Sequence, residues 1–328
     1  MTFRLSKVAL LLVCTFLFSG EQAAFRSTAP FGEWKRLVQG PILAPQGSGF
    51  EAAGVFNPAV LEEGGRFLML YRAQDKNGSS SLGYASSFDG VHFSRRSRPV
   101  LVPESAYERG GGVEDPRLIK IGDTYYLTYT GYNKHDAHLC LATSTDLIHW
   151  RRRGILLPAY KGRWNIGWTK SGAILREKIR GKYWMYYLGT ARDKTDQMGV
   201  AYSSDLVHWT DALDRPVLPR RPGRFDSRVV EPGPPPIVTD DGIFLIYNGA
   251  DDHLVYRTGW VVFDKRDPRI VLARSDQPLF QPELQWEKIG QVPNVVFVEG
   301  LVREKDRWLF YYGAADQYVG VATATYRP

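Results

Sequence analysis

Disulfide chemistry is almost closed to this chain, which has two cysteines, Cys14 and Cys140, in 328 residues. Cys14 lies in a leader-like segment, so the folded part keeps Cys140 alone and has no intrachain bridge to form. Histidine is also scarce. Of the six, His92, His149 and His208 recur at equivalent places in a repeat and read as framework, while His135 and His138 share one loop. Neither a metal site nor a cofactor is expected from this set. No apolar run reaches the length of about 20 residues that a membrane-spanning helix needs. The longest, "VALLLVCTFLF" (8–18), follows Arg4 and Lys7. That order reads as a signal peptide over residues 1–24, cleaved near Ala23 or Ala24. Export to a periplasmic or extracellular compartment is therefore expected, with residues 25–328 as one mature domain without a membrane span. Charge of one sign does not dominate either: 42 basic residues stand against 35 acidic ones, net +7. Its small basic clusters, "RRRG" (151–154) and "PRRPGR" (219–224), are flanked by turn residues. Without a concentrated basic face, nucleic acid is not an expected partner. Amphipathic helical periodicity is absent throughout.

What the chain does have is strand material and punctuation: 13% aromatic residues, 32 glycines and 20 prolines. These imply many short strands joined by turns. Five segments repeat one pattern: "FLMLYRA", "YYLTYTG", "YWMYYLG", "IFLIYNG" and "WLFYYGA". Their tyrosines, Tyr71, Tyr129, Tyr187, Tyr247 and Tyr312, are spaced by 58, 58, 60 and 65 residues. A second element recurs as "ASSFDGVHF", "ATSTDLIHW" and "AYSSDLVHW". A third, proline-rich one recurs as "RPVLVP", "GILLPA", "RPVLP" and "QPLFQP". A unit of this length without helices predicts an all-β, five-bladed β-propeller. The proline-rich element also occurs out of phase in "WKRLVQGPILAP" (34–45), whereas the last unit ends at "GVATATYRP" without one. Residues near Trp34 are thus expected to complete the last blade and close the ring.

Counting back 13 to 17 residues from each tyrosine reaches the strand expected to line the axis. Those strands begin with Asn57, Asp115, Lys170, Glu231 and Glu299. Convergent polar residues on innermost strands need mutual pairing or a hydrated cavity. Asp115 follows three glycines in "GGGVEDPRL" (110–118), which suggests a close approach of substrate to the backbone. Several carboxylates, without a nucleophilic serine or cysteine, suit glycosidic cleavage, in which one acid protonates the leaving oxygen and another activates water. An oligosaccharide or glycan is the implied partner. Trp164, Trp168 and Tyr132 are candidates to stack on sugar rings or to pack the core.

These segments resemble a known family. "YE" (107–108) before "GGGVEDPRL", then "GPPPIVTDDGIFLIYNG", "NVVFVEG" and "YYGAAD", occur in the order seen in glycoside hydrolase family 130. The resemblance covers roughly residues 40 to 325. It implies a five-bladed β-propeller acting with inversion on β-mannosides, by hydrolysis or phosphorolysis. It implies Asp115 as proton donor, in some members through a sugar hydroxyl, with Glu114 beside it. Asn57, Arg72 and Asp316 fall on sugar-binding positions, and Arg117 is placed to orient the acidic pair. Where phosphorylases of the family carry basic residues for phosphate, this chain has Glu231 and Asn248, and Glu299 adds a further negative charge. Carboxylates repel a phosphate dianion, so hydrolysis is expected, with Glu231 or Glu299 activating water. Lys170 completes the candidate substrate-binding set. A β-mannoside phosphorylase, a non-catalytic carbohydrate-binding propeller and another five-bladed glycosidase of arabinanase-like or fructosidase-like type stay open at this point.

Overall fold

The computed structural model describes residues 29–160, 162–325 and 327. The segment read as a signal peptide lies outside them. Among the described residues the fold is all-β apart from two single helical turns, Ala106–Glu108 and Gln285–Lys288, and no helix is long and apolar enough to cross a membrane.

A short strand, β1 (Lys35–Arg36), precedes successive antiparallel meanders. The first contains β2 (Gly54–Glu63), β3 (Arg66–Gln74), β4 (Ser80–Ser87) and β5 (Ser94–Arg95). The second contains β6 (Gly112–Ile121), β7 (Thr124–Tyr132), β8 (Ala137–Ser144) and β9 (Arg151–Leu157). The third runs through β10 (Thr169–Ile174), β11 (Tyr183–Thr190), β12 (Asp196–Ser203) and β13 (Trp209–Asp211). In the fourth, β14 (Val229–Pro232) and β15 (Ile237–Val238) are two pieces of one edge, followed by β16 (Ile243–Ala250), β17 (Tyr256–Phe263) and β18 (Val271–Arg274). The last is β19 (Val296–Glu304), β20 (Arg307–Ala314) and β21 (Tyr318–Thr325), with β1 as its fourth strand. Lys35 pairs with Thr323 and Arg36 with Ala322, so the chain start does supply the missing strand. Trp34 stacks on Phe310 with ring centroids 4.0 Å apart.

The repeats seen in the sequence have physical counterparts. Each tyrosine hydroxyl donates to a carboxylate: Tyr71 to Glu51, Tyr129 to Glu108, Tyr187 to Asp211, Tyr247 to Asp226 and Tyr312 to Glu287. In four of the five, an arginine binds the same carboxylate: Arg95, Arg152, Arg274 and Arg36. Each ring lies across the neighbouring strand. The residue opposite is Gly83, Gly199, Gly259 or Gly320 in four units and Cys140 in the second. The proline-rich elements return to the third strand of their own meander, pairing Leu101 with Leu82, Leu157 with Leu139, Leu218 with Met198 and Phe280 with Thr258. The out-of-phase copy does the same in the last unit, where Leu43 pairs with Val319.

The first strands of the meanders face one another. β2 packs against β19 and β6, β6 against β10, and β10 against β14. Two of the three glycines before Asp115, Gly111 and Gly112, have a packing role. A Cβ on Gly112 would fall 2.2 Å from the Ser80 carbonyl oxygen, and one on Gly111 would meet the Tyr132 ring at 2.3 Å. They let β4 and β6 of adjacent meanders touch through the Ser80–Gly112 bridge.

Candidate active site

Four of the first strands are bulged near their beginning, at Phe56/Pro58, Glu114/Arg117, Lys170/Ala173 and Val298/Gly300. A bulge leaves a residue outside the ladder and re-aims it. Those residues include Asn57, Asp115 and Ser171, with φ of 51°, 51° and 59°, and Glu299. Left-handed backbone at non-glycine residues is uncommon and clusters where a site fixes it. Counting along the sequence puts Lys170 in this row, but it is Ser171 that has the matching conformation. Lys170 instead shares a row with Glu114 and Glu231, each paired with the residue after its unit's tyrosine or the equivalent: Leu188, Thr130 and Asn248.

The bulges bring most of the candidates into one charged cluster. Asn57 Nδ2 donates to Asp115 Oδ1 at 2.8 Å. Arg72 lies between the two acids, 3.1 Å from Asp115 Oδ1 and 2.6 Å from Glu114 Oε1. Ser80 adds a hydroxyl 3.3 Å from Glu114. Ser171 donates to Glu231, and Lys170 Nζ is 3.9 Å from the same oxygen. Ser171 was not a sequence candidate; its signal was only its place after Lys170 in "TKSG".

Arg117 is almost fully enclosed at 1% exposure. Its guanidinium donates to the carbonyls of Asp115, Pro232 and Gly233. It also lies 2.8 Å from Glu299 Oε1, although neither Glu299 oxygen has a hydrogen-bond partner among the described residues. The close approach is thus an ion contact, off the line of a hydrogen bond. Asn248 is fully buried and joins the last two meanders, donating to the Val298 carbonyl and accepting from its N–H. Asp316 and Ala315 occupy the turn between β20 and β21 with φ of 50° and 47°.

Electrostatics separates the acids. Burial pushes Asp115 up, but Arg72, Lys170, the Asn57 amide and Arg117 outweigh it and hold the carboxyl below its ordinary pKa. Glu114 and Glu231 are raised, chiefly by burial, against the opposing pull of Arg72 and Lys170 respectively. Glu299 is raised well above the usual range by burial. Asp316 is pushed up to about 6 by burial, with Arg72 opposing and Asp115 and Glu114 reinforcing. The carboxyls are thus driven apart in pKa within one cluster, with the directions opposite to those usual for a proton donor at Asp115 and a base at Glu231. The aromatic candidates divide: Trp164 is buried in the core against Tyr187, whereas Tyr132 and Trp168 meet edge to face, half-buried.

The family model described as beta-1,4-mannooligosaccharide phosphorylase matches residues 41–327. The chain belongs to glycoside hydrolase family 130. Among its family 130 relatives, a 1,2-beta-oligomannan phosphorylase from Thermoanaerobacter sp. (strain X514) is 42% identical over 299 residues, spanning 88% of this chain and 96% of its own length. The solved structure of a putative glycosidase from Bacteroides thetaiotaomicron is 36% identical with a TM-score of 0.81, covering 90% of this chain and 97% of its own. Another, with the same identity and TM-score, covers 91% and 97%. It is described by the statement that the GH130 family of mannoside phosphorylases contains glycoside hydrolases that target β-1,2 mannosidic linkages in Candida mannan. The protein is therefore an enzyme acting on glycosides, in a family of mannoside phosphorylases and hydrolases.

Proposed function

We propose that this chain is an exported, inverting β-mannoside hydrolase for β-1,2-linked manno-oligosaccharides, built as a five-bladed propeller with the substrate entering at the bulged ends of the inner strands. Both the phosphorylase and the hydrolase relatives named above act on β-1,2 linkages, which supports that substrate. In this reading the leaving oxygen takes a proton from Asp115, directly or through a sugar hydroxyl. Glu231 takes a proton from the water whose oxygen attacks the anomeric carbon. Glu114, Arg72, Asn57, Lys170 and Asp316 hold the sugar, and Asn248 braces the wall behind them. The observation that carries hydrolysis is Glu231 itself: a buried carboxylate beside Ser171 and Lys170 suits water activation and disfavours a phosphate dianion. Phosphorolysis is the second reading, favoured by the names of the relatives and by the cations Arg72 and Lys170. Export, read from the leader-like sequence, favours hydrolysis, because secreted sugar phosphates would be lost to the cell. The deciding experiment incubates the enzyme with β-1,2- and β-1,4-mannobiose, with and without phosphate, and follows products by proton NMR. Hydrolysis gives mannose, initially as the α-anomer and independent of phosphate. Mannose 1-phosphate as the main product overturns the hydrolase reading.

A further inference from the structure

The aromatic residues at the bulged end of the inner strands have no part in the roles assigned above. Tyr132 ends β7 and pairs with Gly112, three residues outward of Asp115 on β6. Trp168 immediately precedes β10 and lies two residues outward of Lys170. Both are half-buried, and their rings meet edge to face with centroids 5.6 Å apart. The pair thus bridges the second and third meanders at the rim of the polar cluster. Both rings are held in place. Gly111 leaves no room for even a Cβ against the Tyr132 ring, and the Trp168 indole N–H donates to the His135 carbonyl at 3.0 Å. Tyr160 stands beside them, 57% exposed, with its hydroxyl facing Asp136 and the Trp168 indole. In the opposite direction the axis is closed, because Arg117 and Glu299 beyond Asp115 are 1% and 0% exposed.

We propose that Tyr132 and Trp168 form a stacking subsite for the sugar that follows the leaving-group sugar, so that the enzyme selects trisaccharides and longer chains over disaccharides. The direction of the glycan follows from two placements. Asp115 protonates the leaving oxygen, so the leaving group lies on the side of β6, and Tyr132 belongs to the same meander. With the axis closed by Arg117 and Glu299, a glycan held at Asp115 continues only outward, past the rim. The chemistry of the sugar fits a ring platform. A β-mannosyl unit carries its axial 2-hydroxyl on one face and axial C–H bonds on the other, which leaves that second face apolar. Tyr and Trp rings offer large apolar area with little freedom to lose, and rings already fixed in place lose still less on binding. Contacts made away from the cleaved bond help to hold the reacting sugars in position. The subsite rests on the manno-oligosaccharide reading above, with Asp115 as proton donor, and holds whether water or phosphate attacks.

Chain length tests it. The parent and the variants Trp168→Ala, Trp168→Leu and Tyr132→Leu are compared on β-1,2-mannobiose and β-1,2-mannotriose. The parent should favour the trisaccharide in kcat/KM by about tenfold. In the three variants that ratio should fall close to unity, mainly through KM for the trisaccharide. Trp168→Leu keeps apolar volume if the alanine variant folds poorly, and Trp168→Phe, which keeps a ring, should restore most of the preference. Titration calorimetry of Asp115→Asn with the same two sugars, with and without Trp168→Leu, reads the preference without turnover. A parent that treats both sugars alike, or a preference that survives in Trp168→Leu and Tyr132→Leu, overturns the subsite and leaves the mannoside reading intact. If the parent cleaves neither sugar and Asp115→Asn binds neither, both readings fall together.

Discussion

Asn57 donates its side-chain amide to Asp115 Oδ1 at 2.8 Å from the matching bulge of the preceding meander, and both residues have a φ of 51°. The contact depends on Gly313 of β20, where an added Cβ would fall 2.1 Å from Asn57 Oδ1. Gly313→Ala should therefore displace Asn57 and lower both Tm and turnover, whereas Asn57→Ala should mainly lower turnover. Thermal melts and kinetics on the two variants check this; full activity in Gly313→Ala would rule out the dependence.

Asp115 is held below its ordinary pKa and Glu231 above its own, which disfavours the productive state with Asp115 protonated and Glu231 ionised. Asp115→Asn should reduce kcat by about 10²–10⁴-fold on mannobiose, and far less on aryl mannosides with good leaving groups. With those substrates only an ionised Glu231 is needed. Rate should then rise with pH to a plateau, and the alkaline limb of the native bell should vanish. A uniform loss across leaving groups would limit Asp115 to sugar binding.

Asp316, raised to about 6, has the opposite linkage sign to a salt-bridged acid. Between its unfolded value near 3.9 and about 6 the folded state binds more protons, so this residue's contribution to stability falls as pH rises through that window. Asp316→Asn should gain on the parent by roughly 2–3 kcal/mol between pH 4 and 7. Melting temperatures of both proteins across that range measure the gain, and a constant difference would refute it.

Removing residues 25–40 should destabilise the whole domain. The deletion takes away β1, the Arg36 contacts to Glu283 and Glu287, and the buried Phe31 and Trp34. The two aromatic side chains alone are worth about 1.5–3 kcal/mol each. An unchanged Tm would show that the pairing of β1 with β21 contributes nothing.

Cys140 stands where four other meanders have glycine under a tyrosine ring. Cys140→Gly should cost only about 0.5–1 kcal/mol, the backbone-entropy penalty of glycine in a strand. Cys140→Leu should cost about 1–3 kcal/mol by overpacking against Tyr129. Chemical denaturation of the three proteins distinguishes these outcomes.

Sequence alone determined the features that depend on local repetition. The tyrosine spacing marked one strand in every meander, because each hydroxyl must find a carboxylate and each ring a small residue opposite. The displaced proline-rich element located the pairing of β1 with β21, because an unpaired edge needs a strand and only the chain start had one spare. Asp115 and Asn57 were legible for the same reason, standing at fixed offsets from those tyrosines, whereas Arg72 was marked by the family resemblance. Tertiary structure decided what offsets cannot carry. Strand periodicity is two, so one bulged residue moves its successors to the other face; that is why Ser171, and not Lys170, has the Asp115-like conformation. The different surroundings of Glu231 and Glu299 were equally invisible, since burial and charge at each carboxyl come from neighbours more than fifty residues away in sequence, such as Arg117. The glycines before Asp115 announced a close approach, and only the folded chain shows that what approaches is the backbone of Ser80.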